Sequence, residues 1–317
     1  MAAELPAATT TLPNGGYIDL QVNGFAGADF NGDDLTENRV HHACLLMREE
    51  GAAGLLPTVI TAEPDAMSRR LARLVELRNA DLLAREMFLG IHIEGPFISD
   101  VPGYVGAHPP SAVRPANLDQ MKRLLEAADG LTRIVTLAPE NDADQLLTRY
   151  LVDQGITVSA GHSDASLDQL QAAIDAGLSM FTHLGNACPA EIPKHDNIIQ
   201  RTLSLSDQLW ISFIADGAHV PFPALGNYLR TASLKQCVIV SDAISATGLG
   251  PGRYPIGNQT VYVGEDRVPR ADEGSHLVGS ATSLGQMVDN LRQHLQMSEV
   301  AIEQLTSIGP RAILQGD

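Results

Sequence analysis

Basic residues are scarce in this sequence: 21 Lys and Arg stand against 38 Asp and Glu, for a formal net charge of −17 over 317 residues. So acidic a chain repels phosphodiester backbones, and nucleic acid is not an expected partner. Any anionic ligand needs a local cationic site instead. Cysteine is scarce too. Cys44, Cys188 and Cys237 are the only three, and none belongs to a CxxC pair. An odd and sparse count argues against a disulfide framework and fits a reducing, cytoplasmic compartment. No apolar run reaches the ~18 residues of a membrane span, so no membrane partner is expected. Met1–Pro13 lacks the charged and apolar regions of a signal peptide. No internal repeat is evident, and no GxGxxG or GxxxxGK[ST] follows the first apolar run, which removes support for an open doubly wound nucleotide-binding sheet. Aromatics make up only 4% against 44% hydrophobic residues in all, so the core must be aliphatic.

Short apolar or β-branched runs alternate with amphipathic ones. Strands are expected at Tyr17–Val22, Gly54–Ile60, Met87–Ile93, Arg133–Leu137, Thr157–Ala160, Ser179–Thr182, Trp210–Ile214 and Gln236–Val240. Helices are expected at Met67–Arg85, Leu118–Ala128, Asp144–Gln154 and Leu167–Ala176, with Asn117 as an N-cap and Gly130, Gly155 and Gly177 at helix ends. Such alternation, with aliphatic strands buried on both faces, predicts an α/β fold: a (β/α)8 barrel of the TIM type filling residues 1–317 as one domain. Ser99–Pro115, Ala187–Asn197 and Gly248–His276 interrupt the rhythm after strand ends, where barrels carry their chemistry. The last contains a strand-like Thr260–Val263, so a loop/β insertion is expected at about 248–278.

Chemistry-bearing residues gather at those strand ends. The third strand runs Gly90-Ile-His-Ile-Glu-Gly-Pro96, which puts His92 and Glu94 on one side. The fifth ends in Gly161-His162, the sixth in Thr182-His183, the seventh in Asp216-Gly-Ala-His219 and the eighth in Ser241-Asp242. A barrel mouth brings these together. One Glu and two His make a three-ligand site for a divalent metal, with a carboxylate from the eighth strand over the fourth position, as metal-assisted hydrolysis requires. Singly, each is more often structural than functional; the coincidence of several strand ends carries the reading. Asp216 beside Gly217 reads as a turn former, Asp164 as a helix N-cap, and Asp19 and Asp29 as structural. His92 reads equally as a packed interior group or as a support for a ligand. His41 and His42 belong on a helix, partly exposed, and His276 and His294 read as structural or solvated.

Taken in order, Tyr17-Ile-Asp-Leu-Gln-Val-Asn-Gly24, Gly90–Pro96, Thr136-Leu-Ala-Pro-Glu140, Gly161-His-Ser-Asp-Ala165, Thr182-His-Leu-Gly-Asn-Ala187 and Ile214–His219 resemble the signatures of the N-acetylglucosamine-6-phosphate deacetylase family of amidohydrolases, over nearly the whole chain. The resemblance implies hydrolysis of an amino-sugar acetamide to acetate and amine. It implies Glu94, His162 and His183 as metal ligands and Asp242 as the catalytic acid/base. His108 would hold or polarise the acetamide, His219 would contact the sugar, and Asn186 and Ala187 would contact the phosphate. A homodimer is also implied. Gln21 and Asn23 stand where many amidohydrolases carry an HxH pair for a second metal; neutral amides are poor ligands, so one divalent ion is expected, Zn first and Fe as the alternative. Family members usually place an Arg in the loop after the sixth strand. Here that loop reads Glu191-Ile-Pro-Lys-His-Asp-Asn197, with Lys194 nearest the place. Lys binds phosphate as a point charge. The phosphorylated sugar is the first reading and an unphosphorylated or otherwise decorated N-acyl substrate the second. A non-catalytic sugar-binding protein is the third, disfavoured by the complete ligand and acid/base set. The family's small β-sandwich domain is expected to be largely or wholly missing.

Overall fold

The computed structural model describes residues 15–256, 259–271 and 277–316. Eight parallel strands form one sheet in chain order: β1 (Tyr17–Val22), β2 (Ala52–Ile60), β3 (Ile91–Glu94), β4 (Thr132–Leu137), β5 (Thr157–Ala160), β6 (Met180–Phe181), β7 (Trp210–Phe213) and β8 (Cys237–Ile239). The segment after β8 returns to β1. Asp242 N–H donates to Gln21 O at 3.0 Å and Asn23 N–H to Ala243 O at 2.7 Å, and a parallel bridge joins Val22 to Ala243. The strands thus enclose a barrel, as the alternating pattern predicts. β1 is buried at every position, which a strand covered on both faces requires.

Helices α1 (Glu37–Glu49), α2 (Pro64–Ala80), α3 (Leu82–Met87), α4 (Leu118–Ala127), α5 (Leu146–Asp153), α6 (Leu167–Asp175), α7 (Ile198–Ser204), α8 (Phe222–Ala232), α9 (Leu284–Leu295), α10 (Glu299–Glu303) and α11 (Gly309–Gln315) surround it. A π-helical turn at Gln304–Ile308 packs against both β1 and β8. Each longer helix turns an aliphatic stripe inward; α2 buries Met67, Leu71, Leu74 and Leu77. Asn117 caps α4, its Oδ1 accepting from Gln120 N–H at 2.8 Å, an interaction worth about 1 kcal/mol. Gly130, Gly155 and Gly177 take positive φ beyond their helices, as expected.

Three local expectations are corrected. The single helix at Met67–Arg85 is two helices, because Asp81 adopts an extended backbone and its carboxylate caps Ala84 N–H at 2.7 Å. The third strand begins at Ile91, since Met87 still belongs to α3. The N-cap of α6 is Ser166, in a capping box with Gln169, and not Asp164.

Beyond β8 lies a separate antiparallel sheet of β9 (Gly252–Ile256), β10 (Gln259–Val263) and β11 (Pro269–Ala271). It has its own small core with Ile244, Ala246 and Val278. Among the described residues there is no β-sandwich and no helix long and apolar enough to cross a membrane. His276 and Met1–Pro13 lie outside the described residues.

Candidate active site

Glu94 ends β3, His162 and His183 follow β5 and β6 by two residues, and Asp242 follows β8 by three. These are the C-terminal ends of the strands, so all four side chains arrive at one mouth. Gly161 lets β5 close on its neighbour: a Cβ there would meet Thr136 Cγ2 at 2.7 Å and Thr182 Cβ at 3.1 Å. Three site residues then turn with left-handed backbones: His162 (φ 51°), His183 (φ 34°) and Asp242 (φ 49°). None is glycine, so each holds a conformation that the surrounding packing must enforce.

The side chains converge on the Glu94 carboxylate. Its Oε1 lies 3.0 Å from His183 Nε2 and 3.3 Å from His162 Nε2, and its Oε2 lies 3.7 Å from His108 Nε2. All four residues are buried. One donor atom from each of Glu94, His162 and His183 falls within 4.8 Å of the others. Two of the three rings are supported from behind. His162 Nδ1 faces Tyr104 O at 2.9 Å; a carbonyl only accepts, so the proton sits on Nδ1 and Nε2 keeps its lone pair. His108 Nδ1 pairs with Thr61 Oγ1 at 2.8 Å. The buried Nδ1 of His183 has no partner among the described residues. Two nitrogen donors and one carboxylate, all buried and with one ring nitrogen left unpartnered, fit a divalent metal of the zinc type.

Asp242 stands beside this cluster. Its Oδ1 accepts from Asn23 Nδ2 at 2.7 Å and from Gln21 Nε2 at 3.2 Å, while the same Gln21 nitrogen donates to Glu94 Oε1 at 2.9 Å. Burial and the Glu94 charge push the Asp242 pKa up to about 6, against the lowering effects of His183, His219 and the Asn23 bond. Burial also opposes ionisation of Glu94, but the bond with His183 and the close approach of His108 and His162 outweigh it and hold this carboxyl well below its ordinary range. Burial and the neighbouring His162 bring His108 down to about 4, so it is neutral. Burial lowers the pKa of His183 as well, but here it loses to the bond with Glu94, leaving the pKa raised.

One layer deeper, a chain of buried hydroxyls braces the ligand-bearing strands. His92 donates from Nδ1 to Leu20 O (3.2 Å) and meets Thr136 Oγ1 through Nε2 (2.8 Å). Thr136 pairs with Thr182 (2.8 Å), and Thr182 with Ser159 (2.6 Å). His92 is therefore a support beneath Glu94 rather than a ligand.

The remaining expected site residues lie further out. Asn186 and Ala187 are half-buried in the turn after β6, where Asn186 N–H donates to His183 O at 3.0 Å. His219 Nδ1 bonds Asp216 Oδ2 at 2.6 Å. Lys194 is exposed on the loop. Sequence reasoning noticed Gln21 and Asn23 only as lost ligands; the hydrogen bonds their amides donate to Glu94 and Asp242 are contacts it missed. The carbonyl of Tyr104 and the hydroxyl of Thr61 carried no sequence signal. Elsewhere, a cavity of about 530 Å³ is walled by Asp29, Asp33, Asp34, Arg39, Arg70 and Tyr254 and includes none of these candidates.

No protein-family model matches the chain. Individual proteins do. N-acetylglucosamine-6-phosphate deacetylase of Bacillus subtilis (strain 168) is 35% identical over 313 residues, covering 96% of this chain and 75% of that protein. N-acetylgalactosamine-6-phosphate deacetylase of Escherichia coli O157:H7 is 29% identical over 303 residues, covering 95% and 78%. Among solved structures, a variant N-acetyl-D-glucosamine-6-phosphate deacetylase from Mycobacterium smegmatis, in complex with N-acetyl-D-glucosamine-6-phosphate, superposes with a TM-score of 0.85 at 27% identity, covering 95% of this chain and 77% of that one.

Proposed function

We infer, for a chain that belongs to the N-acetylglucosamine-6-phosphate deacetylase family, that it hydrolyses the acetamide of an N-acetylated amino sugar, with the 6-phosphate of N-acetylglucosamine as first substrate. The observation that carries this reading is the pairing of the Glu94–His162–His183 cluster with an amide-held Asp242 at the same mouth.

Glu94, His162 and His183 would hold one divalent metal, Zn first and Fe as the alternative. When bound, it supplies Lewis acidity to the acetyl carbonyl and acidifies the attacking water. Asp242, ionised above about pH 6, accepts a proton from that water as oxygen adds to the carbonyl carbon. It then delivers a proton to the sugar nitrogen as the C–N bond breaks, so acetate and the free amine leave. Asn23 and Gln21 hold Asp242 Oδ1, leaving Oδ2 for this transfer. Neutral His108 stands on the other side of Glu94 and is suited to donate a hydrogen bond to the acetyl oxygen.

For the sugar's far end we assign His219 to the ring hydroxyls and Asn186, the Ala187 backbone and Lys194 to the phosphate. Lys194 is exposed and replaces the fork of an Arg by a point charge. That observation favours a second reading, in which the substrate is an unphosphorylated N-acetyl sugar. The single barrel domain, with β9–β11 as its insertion, and the homodimer implied by the family resemblance complete the proposal. The test is acetate release by purified, metal-analysed protein from N-acetylglucosamine-6-phosphate, its galactosamine epimer and the unphosphorylated sugar. Preference for a phosphorylated sugar supports the first reading, preference for the neutral sugar the second, and no release from any of them removes both.

A further inference from the structure

Asp216 makes more contacts than a turn needs. Its Oδ1 accepts the backbone N–H groups of Ala218 and His219, each at 2.9 Å, which accounts for the turn. Its Oδ2 faces His219 Nδ1 at 2.6 Å and accepts the Ser280 hydroxyl at 3.1 Å. The side chains of Asp216 and His219 are both buried. A carboxylate only accepts, so the proton of this short bond sits on His219 Nδ1. Nε2 is then the ring atom left to meet a ligand. Ser280 reaches the pair from the segment that follows β11, and its own backbone N–H donates to Asp242 O at 2.9 Å. One residue therefore touches both the backbone of the acid/base and the carboxylate behind the sugar-facing histidine.

We propose that Asp216 is a positioning residue for substrate recognition: it fixes His219 as the Nδ1–H form, so that Nε2 accepts the hydrogen of a substrate hydroxyl, and Ser280 ties this pair to the segment carrying Asp242. The identity of the hydroxyl rests on the deacetylase reading; the tautomer does not. The specificity is for a ligand that donates at this point, so a deoxy or O-methylated sugar loses the contact.

Three measurements on the full chain test this. Nitrogen-15 spectra of the wild-type protein in mildly alkaline buffer should show His219 protonated at Nδ1 and bare at Nε2; a protonated Nε2 overturns the proposal without any variant. Asp216→Asn keeps an oxygen for the turn but sets an amide N–H against Nδ1, which moves the ring proton to Nε2. Loss of one hydrogen bond to substrate should then raise KM about tenfold to hundredfold, with kcat changed by less than about threefold. In a His219→Ala background the same substitution should add nothing to KM. A variant that loses thermal stability while its KM is unchanged, or effects that add in the double variant, would mean that Asp216 serves the fold alone. Should Asp216→Asn fail to accumulate, Ser280→Ala removes only one of the four bonds and should still raise KM by about twofold to fivefold; an unchanged KM there counts against the proposal. If no N-acetylated sugar is hydrolysed, the deacetylase reading fails while the spectrum still decides the tautomer.

Discussion

The Nε2 nitrogen of Gln21 donates to Oε1 of Glu94 at 2.9 Å. The amide thus points its hydrogens, not a lone pair, into the cluster, and it shares them with Asp242. A group that donates to two carboxylates cannot also ligate a cation at that nitrogen. Metal analysis of the purified protein should therefore return about one divalent ion per chain, and a reproducible value near two would sink the single-metal reading.

Asp242→Asn should leave the three candidate ligands untouched and remove the proton carrier. Turnover should fall by about a hundredfold to ten-thousandfold, while metal content stays at the wild-type level. Activity within a few-fold of wild type would exclude Asp242 as the acid/base.

Asp19 offers a pH signature of folding rather than of chemistry. It is buried, its Oδ1 accepts from Gln21 and Ser241 N–H groups (3.3 and 3.1 Å), and its Oδ2 has no partner among the described residues. Burial raises its pKa from 3.8 to about 7. Between those values the folded chain keeps a proton that the unfolded chain releases, so this contribution to stability is present at the acid end and is lost as pH rises through about 7. Asp19→Asn should flatten that slope. The Tm difference between wild type and variant, taken across this window, should drift against the wild type as pH increases; a constant difference would show that Asp19 does not titrate there.

Lys194→Ala should raise KM for a phosphorylated sugar by about threefold to thirtyfold, the worth of one exposed or half-exposed charge-assisted bond, and leave a neutral sugar unaffected. Equal effects on both sugars would take Lys194 out of the phosphate site.

The strand ends were legible because their residues are local: each candidate ligand closes a short apolar run, and the barrel does the rest. Asn117 was legible as a cap for the same reason. The break at Asp81 was not, since neither Gly nor Pro marks it and only the extended backbone of one Asp ends α2. Ser166-x-x-Gln169 was readable as a capping box, and the competing Asp164 obscured it. Contacts between distant segments left no trace in the pattern: Tyr104 O behind His162, Thr61 behind His108, Ser280 on Asp216. Nor did the left-handed backbones at His162, His183 and Asp242, where composition alone favours Gly or Asn.

Among the described residues no ladder joins Cys237–Ile239 to β1; the segment after β8 meets β1 instead through Ser241 on Asp19, Asp242 on Gln21 and Ala243 on Val22 and Asn23. The barrel is a hoop, and Asp242 is part of its clasp. Glu94, His162 and His183 sit instead at or just beyond the ends of strands laddered on both sides. On the proposed roles, loosening the clasp should disarm the base before it disturbs the ligand trio. Gentle warming should silence the chemistry while bound metal stays in place, and a sample cooled in time should recover without any metal being added back.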